Sequence, residues 1–305
     1  MNSKRFVIAD VFTEDRFGGN QLAVFVDGSG LDSATMQDIA REMNYSETTF
    51  LLPPERDGDY RVRIFTPVRE LPFAGHPLVG SGYVIVAERM TPWTEPLTTV
   101  TLETGVGPLR IEVQTEGNQL GRSTMTQPLP VVRGGYSDID GLAKALSLDS
   151  ARIRQTETPV ETVDNGLGVL IVPIDSLDAI EKIKVDSNAL AEISDRVGAS
   201  TVLTFTRETL MPTSTVHCRV FAPAAGVTED AATGSANGSF GYYLVRHKLV
   251  QIQAITRIIS EQGYEMKRPS QLYIDVDVDS ATGEAKEVRV GGGVVIAGRG
   301  EIFVG

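Results

Sequence analysis

A chain of 305 residues, 41% hydrophobic and 22% charged, has room for two ordinary domains, each with its own core. Its formal net charge of -12 argues against nucleic acid and anionic membrane surfaces as partners, because their phosphates would be repelled. A single cysteine, Cys218, and three histidines without ligand spacing exclude an intrachain disulfide and a thiolate metal cluster.

The first strand is predicted at residues 6–12. The Lys4-Arg5 pair ahead of it is followed by no long apolar run and no small-residue cleavage site, so a cytoplasmic protein is expected. Residues 21–26 read as a buried strand stopped by Asp27-Gly28-Ser29-Gly30. Asp32 or Ser33 caps a helix to about Met43, with Met36, Ile39, Ala40 and Met43 at helical spacing. Residues 48–52 form a strand ended by Pro53-Pro54, and residues 60–65 alternate as a half-buried strand. A helix follows His76, with Pro77 suited to its first position. Residues 100–113 suggest a hairpin turning at Gly105-Val106-Gly107-Pro108.

The second half repeats this order: a strand at 168–175, a helix at 188–197, a strand at 200–205, and then the segment opened by Arg219. The polar, glycine-rich stretch 116–121 places the boundary between domains 1–118 and 119–305. The last strands, 271–278, 287–290 and 294–304, either complete the second domain or return to the first.

The repeat is sharpest in one unit. Arg63-Ile64-Phe65-Thr66-Pro67 leads into Phe73-Ala74-Gly75-His76-Pro77, as Arg219-Val220-Phe221-Ala222-Pro223 leads into the run from Glu229 to Gly238. Superimposed without a gap, Pro67 falls on Pro223, Gly80 on Ala236 and Gly82 on Gly238. Two related halves that face one another make a cleft, the default place for an active site. One half offers a histidine and the other an aspartate.

Glu47 lies where a helix ends and a strand begins. There its carboxylate is either a partly desolvated base with a raised pKa or a solvated loop residue. His76, followed by proline, is expected as the helix cap with a free ring, either for chemistry or simply for capping. From Asp230 onward, Ala231, Ala232, Gly234 and Ala236 let a ligand approach the backbone, and Thr233 and Ser235 add hydroxyls. The helix start there offers N–H groups to an anion, although small and hydroxyl residues also favour an ordinary capped start. The Gly-x-x-x-x-Gly-Lys pattern of a phosphate loop is missing, and Gly291-Gly292-Gly293 reads as a bulge or tight turn. His217, Cys218 and His247 are assigned no function.

The ordered set of motifs resembles the phenazine-biosynthesis PhzF family, a branch of the diaminopimelate-epimerase-like fold. It includes Asp10-Val11-Phe12, Gly19-Asn20, Ser46-Glu47-Thr48-Thr49-Phe50, Arg63 to Pro67, Glu70 to Pro77, Arg219 to Pro223, Glu229 to Ala236, Glu261-Gln262-Gly263 and Arg268-Pro269-Ser270. The resemblance implies a mixed α/β (α+β) fold of two similar domains, each a curled, mostly antiparallel sheet around a central helix. It also implies a homodimer and catalysis without cofactor or metal. The family's acid/base glutamate corresponds to Glu47, its histidine and aspartate to His76 and Asp230, and its substrate-binding positions to Gly75, Thr233, Gly234 and Ser235. Gln21, Ala231 and Leu78-Val79 depart from the family's pattern without removing a catalytic group. The related epimerases use two cysteines where this chain has Gly75 and Ala231-Ala232, so a two-thiol mechanism is disfavoured. The expectation is an isomerase that shifts a proton and a double bond on a small carboxylic or cyclic amino acid. Alternatives are an amino-acid racemase and a catalytically silent binder of small acids.

Overall fold

The computed structural model describes residues 2–223 and 227–304. The chain divides into two units, one of Met1–Thr126 with Gly291–Gly305 and one of Gln127–Val290. The stretch 116–121 is no boundary. It is the turn of a hairpin inside the first unit, where Gly117 takes a positive φ of 57°. Among the described residues no helix is long and apolar enough to cross a membrane.

The first unit runs β1 (Asn2–Val11), β2 (Asn20–Phe25), α1 (Ser33–Met43), β3 (Glu47–Leu52), β4 (Tyr60–Phe65), β5 (Glu70–Leu71), α2 (Gly75–Ala87), β6 (Leu97–Thr104), β7 (Gly107–Glu116) and β8 (Gln119–Gln127). The pairings β2–β3 and β4–β6 are parallel; β1–β2, β3–β4, β4–β5, β6–β7 and β7–β8 are antiparallel. The expected cap of α1 is present: Asp32 accepts the N–H of Thr35. α2 is apolar nearly all round, with Leu78, Val79, Val84, Ile85 and Val86 buried, and a helix of that kind must be enclosed. The strands of this unit pack around it. Each such side chain contributes roughly 1.5–3 kcal/mol by leaving water. On the other face of the sheet Phe6, Phe25, Phe50 and Phe65 pack under α1 at centroid spacings of 5.4, 4.9 and 5.6 Å, the last pair edge to face.

The second unit runs β9 (Val131–Gly135), α3 (Ile139–Ala145), α4 (Ala151–Arg154), β10 (Glu161–Asp164), β11 (Gly168–Pro173), α5 (Leu177–Glu181), α6 (Ser187–Val197), β12 (Thr201–Thr206), β13 (Val216–Ala222), β14 (Val227–Asp230), α7 (Gly234–Arg246), β15 (Ile255–Gln262), β16 (Ser270–Val278) and β17 (Ala285–Gly292). The final strand, β18 (Val294–Val304), belongs to the first unit and pairs antiparallel with β1 along its whole length.

Pair by pair, the second unit repeats the first. β11–β12 and β13–β15 are parallel as β2–β3 and β4–β6 are, and β12–β13, β13–β14 and β15–β16 are antiparallel like their counterparts. Arg63 forks onto Glu70 and Arg219 onto Glu229, each through two guanidinium nitrogens. The gapless superposition expected from the sequence fails beyond this point. The hairpin β13–β14 carries a register shift absent from β4–β5, and the second copy is three residues longer there. α2 and α7, each of 13 residues, therefore match from Gly75 and Gly234, which puts Gly82 on Gly241 rather than on Gly238. A Cβ at Gly82 would strike Ile111 on β7, and one at Gly241 would strike Ile274 on the counterpart strand β16.

Candidate active site

Glu47 opens β3 beside Leu22 of β2, and its side chain is 16% exposed. It is not a solvated loop residue. His76 is not the helix cap; Ala74 is, and His76 is the second residue of α2 and buried. The two side chains meet: His76 Nε2 lies 3.4 Å from Glu47 Oε2, and both atoms are buried. Asn20, at the start of β2, sets the imidazole. Its Oδ1 accepts from Ser46 Oγ at 3.0 Å, and its Nδ2 is 3.3 Å from His76 Nδ1. Nδ1 is the ring nitrogen that the amide reaches, and Nε2 is the one nearer Glu47. Burial pushes the His76 pKa down to about 3, against a smaller opposing pull from the Gln21 backbone. The ring is therefore neutral near pH 7 and can donate a hydrogen bond without carrying charge.

In the second unit Asp230 ends β14, paired with Val220. Thr233 Oγ1 donates to Asp230 Oδ2 at 2.6 Å. Thr233 is the cap residue of α7, Gly234 its first residue and Ser235 its second. The first turn is held from outside: Gln127 Nε2 donates to the Gly234 carbonyl at 3.0 Å and Asn165 Nδ2 to the Ser235 carbonyl at 2.9 Å. α2 and α7 have no side-chain cap, nor does the single turn α4, whereas Asp32, Asp138, Ser176 and Asp186 close α1, α3, α5 and α6. Uncapped starts leave N–H groups and the positive end of the dipole for an anion. Gly75 and Gly234, the first residues of the two helices, keep both starts clear of side chains.

His217 and Cys218 are both buried in β13. Every residue of β13 is buried. Burial pushes the Cys218 thiol up to about 12, which keeps it protonated and unreactive. Burial also opposes charging of His217, but Glu261 at 3.0 Å and Glu265 at 2.9 Å outweigh it and raise its pKa to about 9. Reading the sequence missed the amides Asn20, Gln127, Asn165 and Gln262 as partners of the site. Asn20 and Gln262 do lie in the Gly-Asn and Glu-Gln-Gly motifs, which was the available signal.

Residues 9–300 match the phenazine biosynthesis-like protein family, PhzC-PhzF. Trans-2,3-dihydro-3-hydroxyanthranilate isomerase of Pseudomonas aeruginosa is 35% identical over 305 residues, covering 97% of this chain and 98% of its own. The phenazine biosynthesis protein of the PhzF family from Bacillus anthracis superposes with a TM-score of 0.89 at 26% identity, over 100% of both chains. A hydroxyproline epimerase from Agrobacterium vitis shares the fold, with a TM-score of 0.65 at 14% identity over 98% of this chain and 92% of its own. Fold and relatives define an isomerase built on the epimerase-like α/β scaffold. The chain belongs to the PhzF family.

Proposed function

We propose that this isomerase moves a proton, and with it a double bond, on a small carboxylic or cyclic amino acid, with Glu47 as the general acid/base. The observation that carries the reading is the buried contact of Glu47 Oε2 with the neutral His76 Nε2. The fold repeat supports it. The counterpart of Glu47, the first residue of β12, is Thr201, so only one copy carries a carboxylate at this place. One base that takes a proton from one carbon and returns it to another suits an isomerisation. A two-thiol mechanism lacks its groups, since the only cysteine is buried and protonated.

In this reading Glu47 abstracts the proton from an activated carbon and the Nε2–H of His76 stabilises negative charge that develops on the substrate. Asp230 and Ser235 hold the substrate's polar groups, and N–H groups at Gly75 and Gly234 receive its carboxylate. The compound named for the Pseudomonas aeruginosa relative, trans-2,3-dihydro-3-hydroxyanthranilate, is the first substrate to try. The reading also takes the enzyme to be a homodimer on the family resemblance alone, which sedimentation tests, and to be cytoplasmic, as expected from the sequence.

The deciding experiment follows that compound by NMR in deuterated water. Wild-type enzyme should place label at a carbon other than the one that lost its proton, and Glu47→Gln should place none while still binding the compound. Label returned to the original carbon would make the enzyme an epimerase. Unimpaired turnover by Glu47→Gln would remove Glu47 from the chemistry.

A further inference from the structure

The fold repeat provides an internal control, because what the scaffold needs should occur in both copies. β6 ends in Glu103-Thr104 followed by Gly105, and β15 ends in Glu261-Gln262 followed by Gly263. The outer members do the same work twice. Glu103 accepts the N–H groups of Glu55, Arg56 and Gly58, and Glu261 those of Leu210 and Met211, so each pins the loop between its two counterpart strands. A Cβ at Gly105 would press on Pro72, and one at Gly263 on the carbonyl of Ala231, the residue at the same distance ahead of its helix.

The middle member differs. Thr104 donates its hydroxyl to the Gly107 carbonyl at 2.7 Å, within its own turn. Gln262, fully buried, makes three hydrogen bonds to the loop that carries Asp230 and one to Asn237 of α7. Its Oε1 accepts from the Thr233 N–H at 3.1 Å and from Asn237 Nδ2 at 3.0 Å. Its Nε2 donates to the Asp230 carbonyl at 2.7 Å and to Thr233 Oγ1 at 3.1 Å. A threonine hydroxyl has one hydrogen. By accepting from Gln262, Thr233 Oγ1 is left to donate that hydrogen to Asp230 Oδ2. The places of Asp230 and Thr233 in the first unit hold Leu71 and Ala74, so this polar chain exists in one copy only.

We propose that Gln262 is a positioning residue for the isomerisation: its carboxamide fixes Thr233 and, through that hydroxyl, the orientation of the Asp230 carboxylate toward substrate. This rests on the reading of Asp230 as a substrate-binding group.

The test compares wild type, Gln262→Met, Asp230→Asn and the double variant on trans-2,3-dihydro-3-hydroxyanthranilate, with melting temperatures for all four. Gln262→Met should lower kcat/KM about 100-fold, as a misplaced group does. Adding it to Asp230→Asn should cost no more than about threefold further, since both changes act through one carboxylate. Near-full activity of Gln262→Met beside a crippled Asp230→Asn would overturn the role of Gln262 and leave that of Asp230 standing. Full activity of Asp230→Asn would remove the underlying reading instead. Additive losses in the double variant would also overturn the proposal, because they mean general damage. Should Gln262→Met fail to fold, Gln262→Glu keeps both acceptor bonds, removes the two donations and draws the Thr233 hydrogen off Asp230. It should lose at least about tenfold in kcat/KM, and unchanged activity would overturn the proposal. A crystal structure of the folded variant gives a readout independent of substrate. The Asp230 carboxylate should leave Thr233 Oγ1, and its persistence there would count against the proposal.

Discussion

His76 and Ser235 hold the same place, the second residue of the buried helix, in two copies of one fold. Each sits where the first-turn N–H groups and the helix dipole favour a negative group. One copy puts a neutral imidazole there beside a carboxylate, and the other a hydroxyl. The roles should separate in kinetics. His76→Asn should lower kcat about 100-fold, because charge developing in the transition state loses its donor. Ser235→Ala should instead raise KM about tenfold with kcat nearly kept, the cost of one hydrogen bond to a charged ligand. Steady-state kinetics on the two variants checks both, and a kcat effect at Ser235 as large as that at His76 would contradict the division.

The ionisation of His76 should leave no trace in the pH–rate profile between pH 5 and 8. Its folded pKa, pushed down to about 3 by burial, keeps the ring neutral throughout that range. The ring resonances of His76 in a labelled sample should hold still as pH passes 6.5. Stability has the matching sign. Above pH 6.5 the folded and unfolded rings are both neutral. As pH falls toward 3 only the unfolded ring gains a proton, so this group's contribution is lost on the acid side. A resonance moving with a midpoint near 6.5 would contradict the buried, neutral ring.

His217 works in the opposite direction. Glu261 and Glu265, on its two ring nitrogens, overcome burial and raise its pKa to about 9. Burial pushes both carboxyls up, but His217 together with the Leu210 and Met211 N–H groups at Glu261, and His217 together with Arg219 at Glu265, more than reverse this and hold both below their usual range. Below pH 6.5 both folded and unfolded His217 are charged and the stabilisation is fully present. Between 6.5 and about 9 the unfolded chain gives up its proton while the folded one keeps it, so stability falls as pH rises. The loss across that interval is roughly 3 kcal/mol. Melting temperatures of wild type and His217→Gln from pH 6 to 9.5 check this: the variant should melt lower at pH 6.5, and the gap should close toward pH 9.

The order of elements was legible in the sequence because strands such as residues 21–26 and 168–173 are apolar runs bounded by glycine, proline and aspartate. The cap at Asp32 and the turn at Gly105 carried their own chemistry. Other features were not legible. A glycine-rich turn looks the same whether it separates domains or closes a hairpin, so the stretch 116–121 reads as a boundary although Gly117 turns a hairpin. The Arg-x-Phe-x-Pro motifs align without a gap, and that register ran on past a hairpin where the second copy is longer. Position alone leaves Glu47 open between a base and a solvated loop residue, because its contact with His76 crosses from a strand start to a helix start. Buried amides are harder still. Gln262 and Asn165 belong to no hydrophobic period, and only coordinates show what they hold.

The corrected register is open to test through glycine. If α2 and α7 are counterparts from their first residues, Gly82 and Gly241 occupy one place in the repeat, and both are kept free of a side chain by an isoleucine opposite. At Gly82 an added Cβ would lie 2.5 Å from Ile111 Cγ2 and 2.9 Å from Ile111 Cβ, too near the backbone of β7 for the side chain to swing clear. At Gly241 it would run into Ile274 Cγ2 on β16. Overpacking of this kind costs about 1–3 kcal/mol, and alanine's better helix propensity recovers only part of it. Gly82→Ala and Gly241→Ala should each lower the midpoint of urea unfolding. The cause is checked by adding Ile274→Ala, which alone costs about 2–5 kcal/mol through its cavity. Combined with Gly241→Ala it should destabilise less than the sum of the two, because the new methyl occupies space that the isoleucine left. Strict additivity would mean that the glycine and the isoleucine do not meet, and the pairing of the two helices would have to be drawn differently.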